Sequence, residues 1–263
     1  MRKLLLTTAA VAAAVILLFI VVSWSSFPLV FALIWSIEDS PIFRMISTEW
    51  PSLGKNASVS VKYGIFTDSR DGKKYKTIKM PDGKTWMAEN LKYKTDSSCC
   101  YNNNVLYCYK YGRLYTWNAA MEACPAGWYL PSFEEWDSLG KAVGGKLLPC
   151  NDLGGKEYPY CDDWAGAGKT LKTKFGWDYE FIKGVENGTD DYGFSALPGG
   201  LFCGYFVNIY NVGAWWTATD RGFKDFDIAY NTYMNSENGA LTRYIKGNNK
   251  SNRFSVRCVA DRP

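Results

Sequence analysis

Residues Tyr111–Leu139, YGRLYTWNAAMEACPAGWYLPSFEEWDSL, read together with FSVRC at Phe254–Cys258, write two consecutive helices and one long-range tie. Trp117, Ala120, Met121 and Cys124 recur at i, i+3, i+4 and i+7, one face of an α-helix. Pro125 and Gly127 stop that helix. Ser132 with Glu135 three residues later is a capping box, in which each side chain takes up an orphan backbone N–H at a helix start. Phe133, Trp136, Leu139 and Val143 form the buried stripe of the second helix, and Gly144-Gly145 ends it. A cysteine on the first helix and another five residues from the C-terminus suggest a disulfide, Cys124–Cys258, tying the start of a domain to its end.

Composition narrows the classes of function. The 263 residues carry 30 Lys plus Arg against 26 Asp plus Glu, a balance of +4 without a basic cluster. A nucleic-acid partner is therefore not expected. The chain has no histidine, which removes His-based acid–base chemistry, Ser-His-Asp and Cys-His nucleophiles, and the usual catalytic zinc sites. Aromatic residues reach 16%, with 11 Trp and 18 Tyr. They read as the core of an exported domain, with a carbohydrate-stacking surface as the alternative.

Met1-Arg2-Lys3 followed by the uncharged run Leu4–Trp24 is about 30 Å of helix, enough to span a bilayer. A small-x-small exit is missing after it, so residues 1–40 are expected as an uncleaved signal-anchor with Arg2 and Lys3 on the cytoplasmic side. Residues 41–62 lack periodicity and read as a linker, and the domain proper is placed at 63–263. The export this implies agrees with eight cysteines, at 99, 100, 108, 124, 150, 161, 203 and 258, an even number in an oxidising compartment. Connectivity is open among 105 pairings. The short turn-rich loops favour Cys100–Cys108 and Cys150–Cys161, leaving Cys99 and Cys203 as a fourth bridge or as two free thiols.

Within the domain, Lys74–Lys79 and Lys84–Ala88 read as strands joined at Pro81-Asp82-Gly83. Lys169–Lys174 and Tyr192–Leu197 read as short strands or extended segments. Ala214–Thr219, Ile228–Met234 and Arg253–Val259 read as strands separated by Gly, Asn and Asp turns. Two helices followed by many short strands and long loops predict an α+β fold.

The blocks TDSRDGKKYKTIKM, TWMAENLKY, YGRLYTWNAAMEACPAGWYLPSFEEW, GTDDYGFSALPGG, GAWWTAT and FSVRC stand in the order of the Fibrobacter succinogenes major paralogous domain, which the chain resembles over about residues 66 to 261. The resemblance implies an exported module similar to the C-type-lectin-like fold and its formylglycine-generating-enzyme relatives. Its two helices would be WNAAMEAC and GWYLPSFEEW, and its helix-to-last-strand cysteine pair is similar as well.

Three constellations carry possible chemistry. Lectins of that fold hold Ca²⁺, which needs six to eight oxygens, beside Glu-Pro-Asn or Gln-Pro-Asp, and neither tripeptide occurs here. Asp190 and Asp191 in the loop Glu186–Asp191 are the remaining metal candidates, against an exposed acidic turn. Formylglycine-generating enzymes bind copper through a close cysteine pair, whereas Gly199-Gly200-Leu201-Phe202-Cys203 offers Cys203 alone. A disulfide partner or buried thiol is the better reading, and no catalytic residue is expected. Last, Trp215 and Trp216 are adjacent, so on a strand they point to opposite faces and one should look outward. With Trp164, Tyr205 and Tyr210 it would make an aromatic ligand face, against packing of the loops on their own aromatics. The expected role is a membrane-anchored, non-catalytic binding or scaffolding module of the bacterial cell envelope. Its partner would be polysaccharide or an envelope protein. No cofactor is expected beyond Ca²⁺ at the aspartates.

Overall fold

The computed structural model describes residues 61–148, 161–177, 187–222 and 227–260, all within the compact unit Val59–Pro263. The first sheet is built from the two ends of that unit. Strands β1 (Gly64–Thr67), β2 (Lys74–Lys79) and β3 (Thr85–Met87) form an antiparallel meander, and the C-terminal β14 (Val259–Ala260) pairs with β3. The β2–β3 turn falls at Pro81-Asp82-Gly83, where Gly83 sits at φ +86° and donates to the Met80 carbonyl at 3.0 Å. That left-handed position is the one where glycine carries no Cβ penalty.

Ten strands make up the second sheet. Its spine runs β4 (Ser98–Cys99), β5 (Leu114–Tyr115), β13 (Phe254–Ser255), β10 (Val212–Asp220), β11 (Ile228–Asn235), β12 (Leu241–Asn249), β7 (Cys161–Ala165) and β6 (Lys146–Leu148). The hairpin β8 (Gly199–Phe202) and β9 (Phe206–Ile209) leaves this path, β8 lying parallel to β10 with Gly200 opposite Gly213.

Short helices flank the sheets: α1 (Val105–Tyr111), α2 (Trp117–Ala123), α3 (Phe133–Ala142) and α4 (Ala167–Leu171). The Ser132–Glu135 capping box of α3 is complete, and Phe133, Trp136, Leu139 and Val143 are buried. On α2 the buried positions are Ala120 and Ala123, while Met121 is exposed. The stripe there is rotated from the one the i, i+4 spacing suggested.

The α+β, C-type-lectin-like expectation is overturned. Among the described residues none of the four α-helices exceeds ten residues, and β-structure in two sheets dominates. Lys169–Lys174, expected as a short strand or extended segment, is helix α4 through Leu171, entered through Gly166 at φ +86°, and turns extended at Lys172. Tyr192–Leu197 makes a single bridge, Lys172 to Ala196. Phe254–Ser255 and Val259–Ala260 are two strands in different sheets rather than one. Among the described residues no helix is long and apolar enough to cross a membrane. The anchor expected over 1–40, and the linker expected over 41–62 up to residue 60, fall outside the described residues.

Strand β10 separates two cores. Trp215 packs with Trp86, Trp136, Trp177 and Phe194, whereas Trp216 packs with Tyr75, Tyr115, Ala120, Ala123 and Phe254. Alternation along the strand sends the neighbours to opposite faces, and each face is covered, by α3 on one side and α2 on the other. Arg257 joins the layers. It is fully buried, and its guanidinium donates to Asn90 Oδ1 at 2.9 Å and to the Phe194 and Ser195 carbonyls. Burial pulls its pKa down to about 9, so it stays charged near neutral pH, satisfied by acceptors instead of a direct carboxylate contact. Disulfides Cys124–Cys258 and Cys100–Cys108 close the fold.

Candidate functional site

The residues expected to form one aromatic face are dispersed. Trp215 and Trp216 are both wholly buried, so neither faces solvent. Their indole N–H groups donate inward, to Asn90 Oδ1 at 2.9 Å and to the Tyr115 carbonyl at 2.8 Å. The outward-facing tryptophan was inferred from alternation alone, and a sheet covered on both faces removes that inference. Trp164 lies on β7 against α3, where Gly140 leaves room for its ring and Asp137 accepts its N–H at 2.8 Å. It is partly buried and packs against the core. Only Tyr205 and Tyr210 remain exposed, at the two ends of β9.

These two tyrosines belong to a surface the sequence did not assemble. The Cys100–Cys108 disulfide closes the loop Tyr101–Tyr107, which continues into α1, and this loop packs on the β8–β9 hairpin. Rings follow one another across the junction: Phe202 to Phe206 at 4.9 Å, Phe206 to Tyr101 at 5.2 Å, Tyr101 to Tyr107 at 5.4 Å and Tyr107 to Tyr111 at 6.1 Å. Tyr210 meets Tyr111 edge-on at 6.3 Å, and its hydroxyl lies 3.3 Å from that of Tyr107. That hydroxyl contact, with some burial, pushes the Tyr210 pKa up to about 12, so Tyr210 stays a neutral donor and acceptor at ordinary pH.

Two features show that the surface is held in shape. Six non-glycine residues have left-handed φ among the described residues, and four of them are here: Asn102, Asn103, Asn208 and Tyr210. Such positions cost of order 1–3 kcal/mol each and concentrate at binding sites. Second, Gly200, at φ +67°, lies under the Tyr101 ring, where an added Cβ would stand 2.6 Å from Tyr101 Cε2 and 2.8 Å from the Val207 carbonyl. Gly200→Ala is expected to destabilise by about 1–3 kcal/mol, from overpacking and the forced φ. Urea unfolding measures this, and a cost below about 0.5 kcal/mol would show that the loop and hairpin are not locked together there.

At the two ends of the ring series lie buried donors without partners. Tyr111 is 3% exposed and its hydroxyl has no hydrogen bond, and Arg253 Nε is likewise buried and unpaired. The Arg253 guanidinium sits 4.9 Å from the Phe202 ring. Natural proteins leave few buried polar groups unmatched, so two such groups flanking one exposed surface mark it out.

The model of the Fibrobacter succinogenes major domain family matches residues 67–260. The chain belongs to this family. No curated protein and no solved structure matches the chain. The match on the major domain runs from β1 to β14 and includes both the disulfide-closed loop and the hairpin.

The remaining expected site residues of this major domain have the following surroundings. Asp190 accepts Ser195 N–H at 2.7 Å and Ser195 O–H at 2.8 Å through its two oxygens, and so shapes the turn. Asp191 adds its backbone N–H to Thr170. Among the described residues no group of three His, Cys, Asp or Glu could hold a metal ion. Cys99 and Cys203 are free thiols and form no fourth bridge. Burial raises the pKa of both, outweighing Arg253 and Arg113 beside Cys99. Neither has the lowered pKa that a nucleophilic thiol needs. Cys150 and the Cys161 side chain, the remaining expected pair, lie outside the described residues.

Proposed function

We propose that this major domain is an exported, non-catalytic carbohydrate-binding module of the bacterial cell envelope, and that its ligand lies along the ring series between Phe202 and Tyr111. The observation that carries this reading is the run of four ring contacts at 4.9–6.1 Å, in which buried Tyr101 and Tyr111 support the part-exposed rings of Tyr107, Phe202 and Phe206, with Tyr210, Asn102 and Asn103 exposed beside them. Aromatic rings stack on the apolar faces of sugar rings while phenol and amide groups meet hydroxyls. The disulfides Cys100–Cys108 and Cys124–Cys258 support an oxidising compartment. The raised thiol pKa values favour binding over thiol chemistry.

The test is affinity electrophoresis and calorimetry on a panel of soluble plant and bacterial polysaccharides. Tyr205→Ala and Tyr210→Ala are expected to weaken binding by about 1–3 kcal/mol, the scale of losing one large apolar contact, with circular dichroism unchanged. If no polysaccharide binds, or if both variants bind as the parent does, the reading fails.

One observation favours a protein partner as the second reading. Val105, Leu106 and Tyr109 on α1 are 72%, 68% and 60% exposed, with Tyr109 four residues after Val105 and three after Leu106, so that its ring neighbours both on the helix surface. Loss of a defined envelope-protein partner in Leu106→Glu, with polysaccharide binding intact, would assign that face to protein contact.

A further inference from the structure

Charge along the same surface is one-sided. Neither Cys99–Arg113 nor Pro198–Trp216, the segments that build it, contains an aspartate or a glutamate. Three cations belong to it: Lys110, whose ammonium lies 5.0 Å from the Tyr111 ring, Arg113 beneath the disulfide, and Arg253 against Phe202. Elsewhere cations pair readily, as in Arg70 with Asp68, Lys84 with Glu135 and Arg243 with Asp137. None of Lys110, Arg113 and Arg253 has a carboxylate partner among the described residues.

The three cations are not equivalent. Arg113 spends its donors inside the fold, on Ser98 Oγ and the Ser98 carbonyl at 2.9 Å each and on the sulfurs of Cys100 and Cys108. It contributes positive potential but few donors. Arg253 keeps a buried Nε without an acceptor, and the Tyr111 hydroxyl is a second buried donor without one. Both atoms are enclosed by protein, so an anionic ligand would meet the ammonium of exposed Lys110 and the guanidinium of part-exposed Arg253, contacts of the charge-assisted kind that are shortest and strongest.

We infer that the ligand of this surface is an acidic glycan, a polysaccharide bearing uronate carboxylates, with its sugar rings on the accessible rings Phe202, Phe206, Tyr107 and Tyr210 and carboxylates toward Lys110 and Arg253. This rests on the carbohydrate reading above and narrows it from sugars in general to carboxylated ones. The ends of the ring series then match a polymer that repeats both a flat apolar ring face and a negative charge.

The experiment compares one ligand with its own neutral form. A glucuronate-bearing xylo-oligosaccharide and the same oligosaccharide after carboxyl reduction are titrated by calorimetry into the full chain, at low and at physiological ionic strength. The acidic form is expected to bind at least about tenfold more tightly, the factor for 1.4 kcal/mol. The advantage should shrink as salt screens the exposed Lys110 contact. Lys110→Gln should lose about two- to fivefold for the acidic form and nothing for the reduced one. Since Lys110 is exposed, that variant keeps the fold. Arg253→Gln, checked for folding by circular dichroism, should lose more. Equal binding of the two forms would overturn the acidic-glycan inference while leaving the carbohydrate reading intact. Binding to neither form, with binding instead to an acidic envelope protein, would overturn both.

Discussion

Trp215→Ala and Trp216→Ala should each lower the unfolding free energy by about 3–5 kcal/mol, the range for removing a fully buried large aromatic side chain. Each indole fills a different core, and each donates a hydrogen bond to a buried acceptor, Asn90 Oδ1 or the Tyr115 carbonyl. Alanine therefore leaves a cavity and an unmatched acceptor together. For Trp215 the acceptor is shared: Asn90 Oδ1 also receives Arg257 Nη2 at 2.9 Å, so its loss is softened. Trp216 has the closer ring partner, Phe254 at 4.3 Å between centroids. Trp216→Ala should accordingly be the costlier of the two. With domain stabilities of 5–15 kcal/mol, either variant approaches the unfolding threshold. Urea denaturation followed by far-ultraviolet circular dichroism measures both. A loss under about 1 kcal/mol in either would mean that one indole does reach a solvent-facing pocket and that an aromatic face on β10 has to be reconsidered.

What could be read ahead of the structure divides along physical lines. Local chemistry was legible: the Ser132–Glu135 box, the α3 stripe and the Pro81–Gly83 turn each depend on residues within one helical turn or one hairpin. Strands β10 and β11 are about half β-branched and aromatic residues and were legible too. Strand β12, Leu241–Asn249, was not, because its LTRYIKGNN lacks clean alternation and its place is set by pairing with β11 and β7. The lectin-like expectation rested on two helices whose existence was right and whose share of the fold was overrated. Whether one or both faces of β10 are covered is decided by α2 and α3 from far along the chain, which alternation within AWWTAT cannot encode. The ring-lined surface is hidden from the sequence for the same reason. Tyr101 and Phe206 stand more than 100 residues apart and meet only because β8 runs beside β10. A local signal did exist in CYNNNVLYC: three asparagines beside Val105 and Leu106, inside a loop short enough for one disulfide, leave those two apolar residues exposed.

The two disulfides should separate stability from binding. Cys124–Cys258 joins residues 134 apart, and in the chain-entropy model a loop of that size contributes roughly 4–5 kcal/mol by restricting the unfolded chain. It also pins the end of α2 beside β14, the strand that closes the first sheet on β3. The double variant Cys124→Ser with Cys258→Ser, which leaves no stray thiol at that site, should lose most of that amount. Cys100–Cys108 joins residues only 8 apart, for which the same model gives about 2–3 kcal/mol. Its loop holds Tyr101 and Tyr107 on the hairpin, so opening it frees the surface to fluctuate, and ordering it again on binding costs affinity. The pair Cys100→Ser with Cys108→Ser should therefore cost less stability than the first pair and more ligand affinity. Urea unfolding and titration with the same polysaccharide, on both double variants side by side, measure the two orders. If removing Cys100–Cys108 leaves affinity at the parental level, the loop is not part of the binding surface. If removing Cys124–Cys258 costs no more stability than removing the short bridge, closure of the domain by its last strand is carried by the packing around Trp86 and Val259 instead.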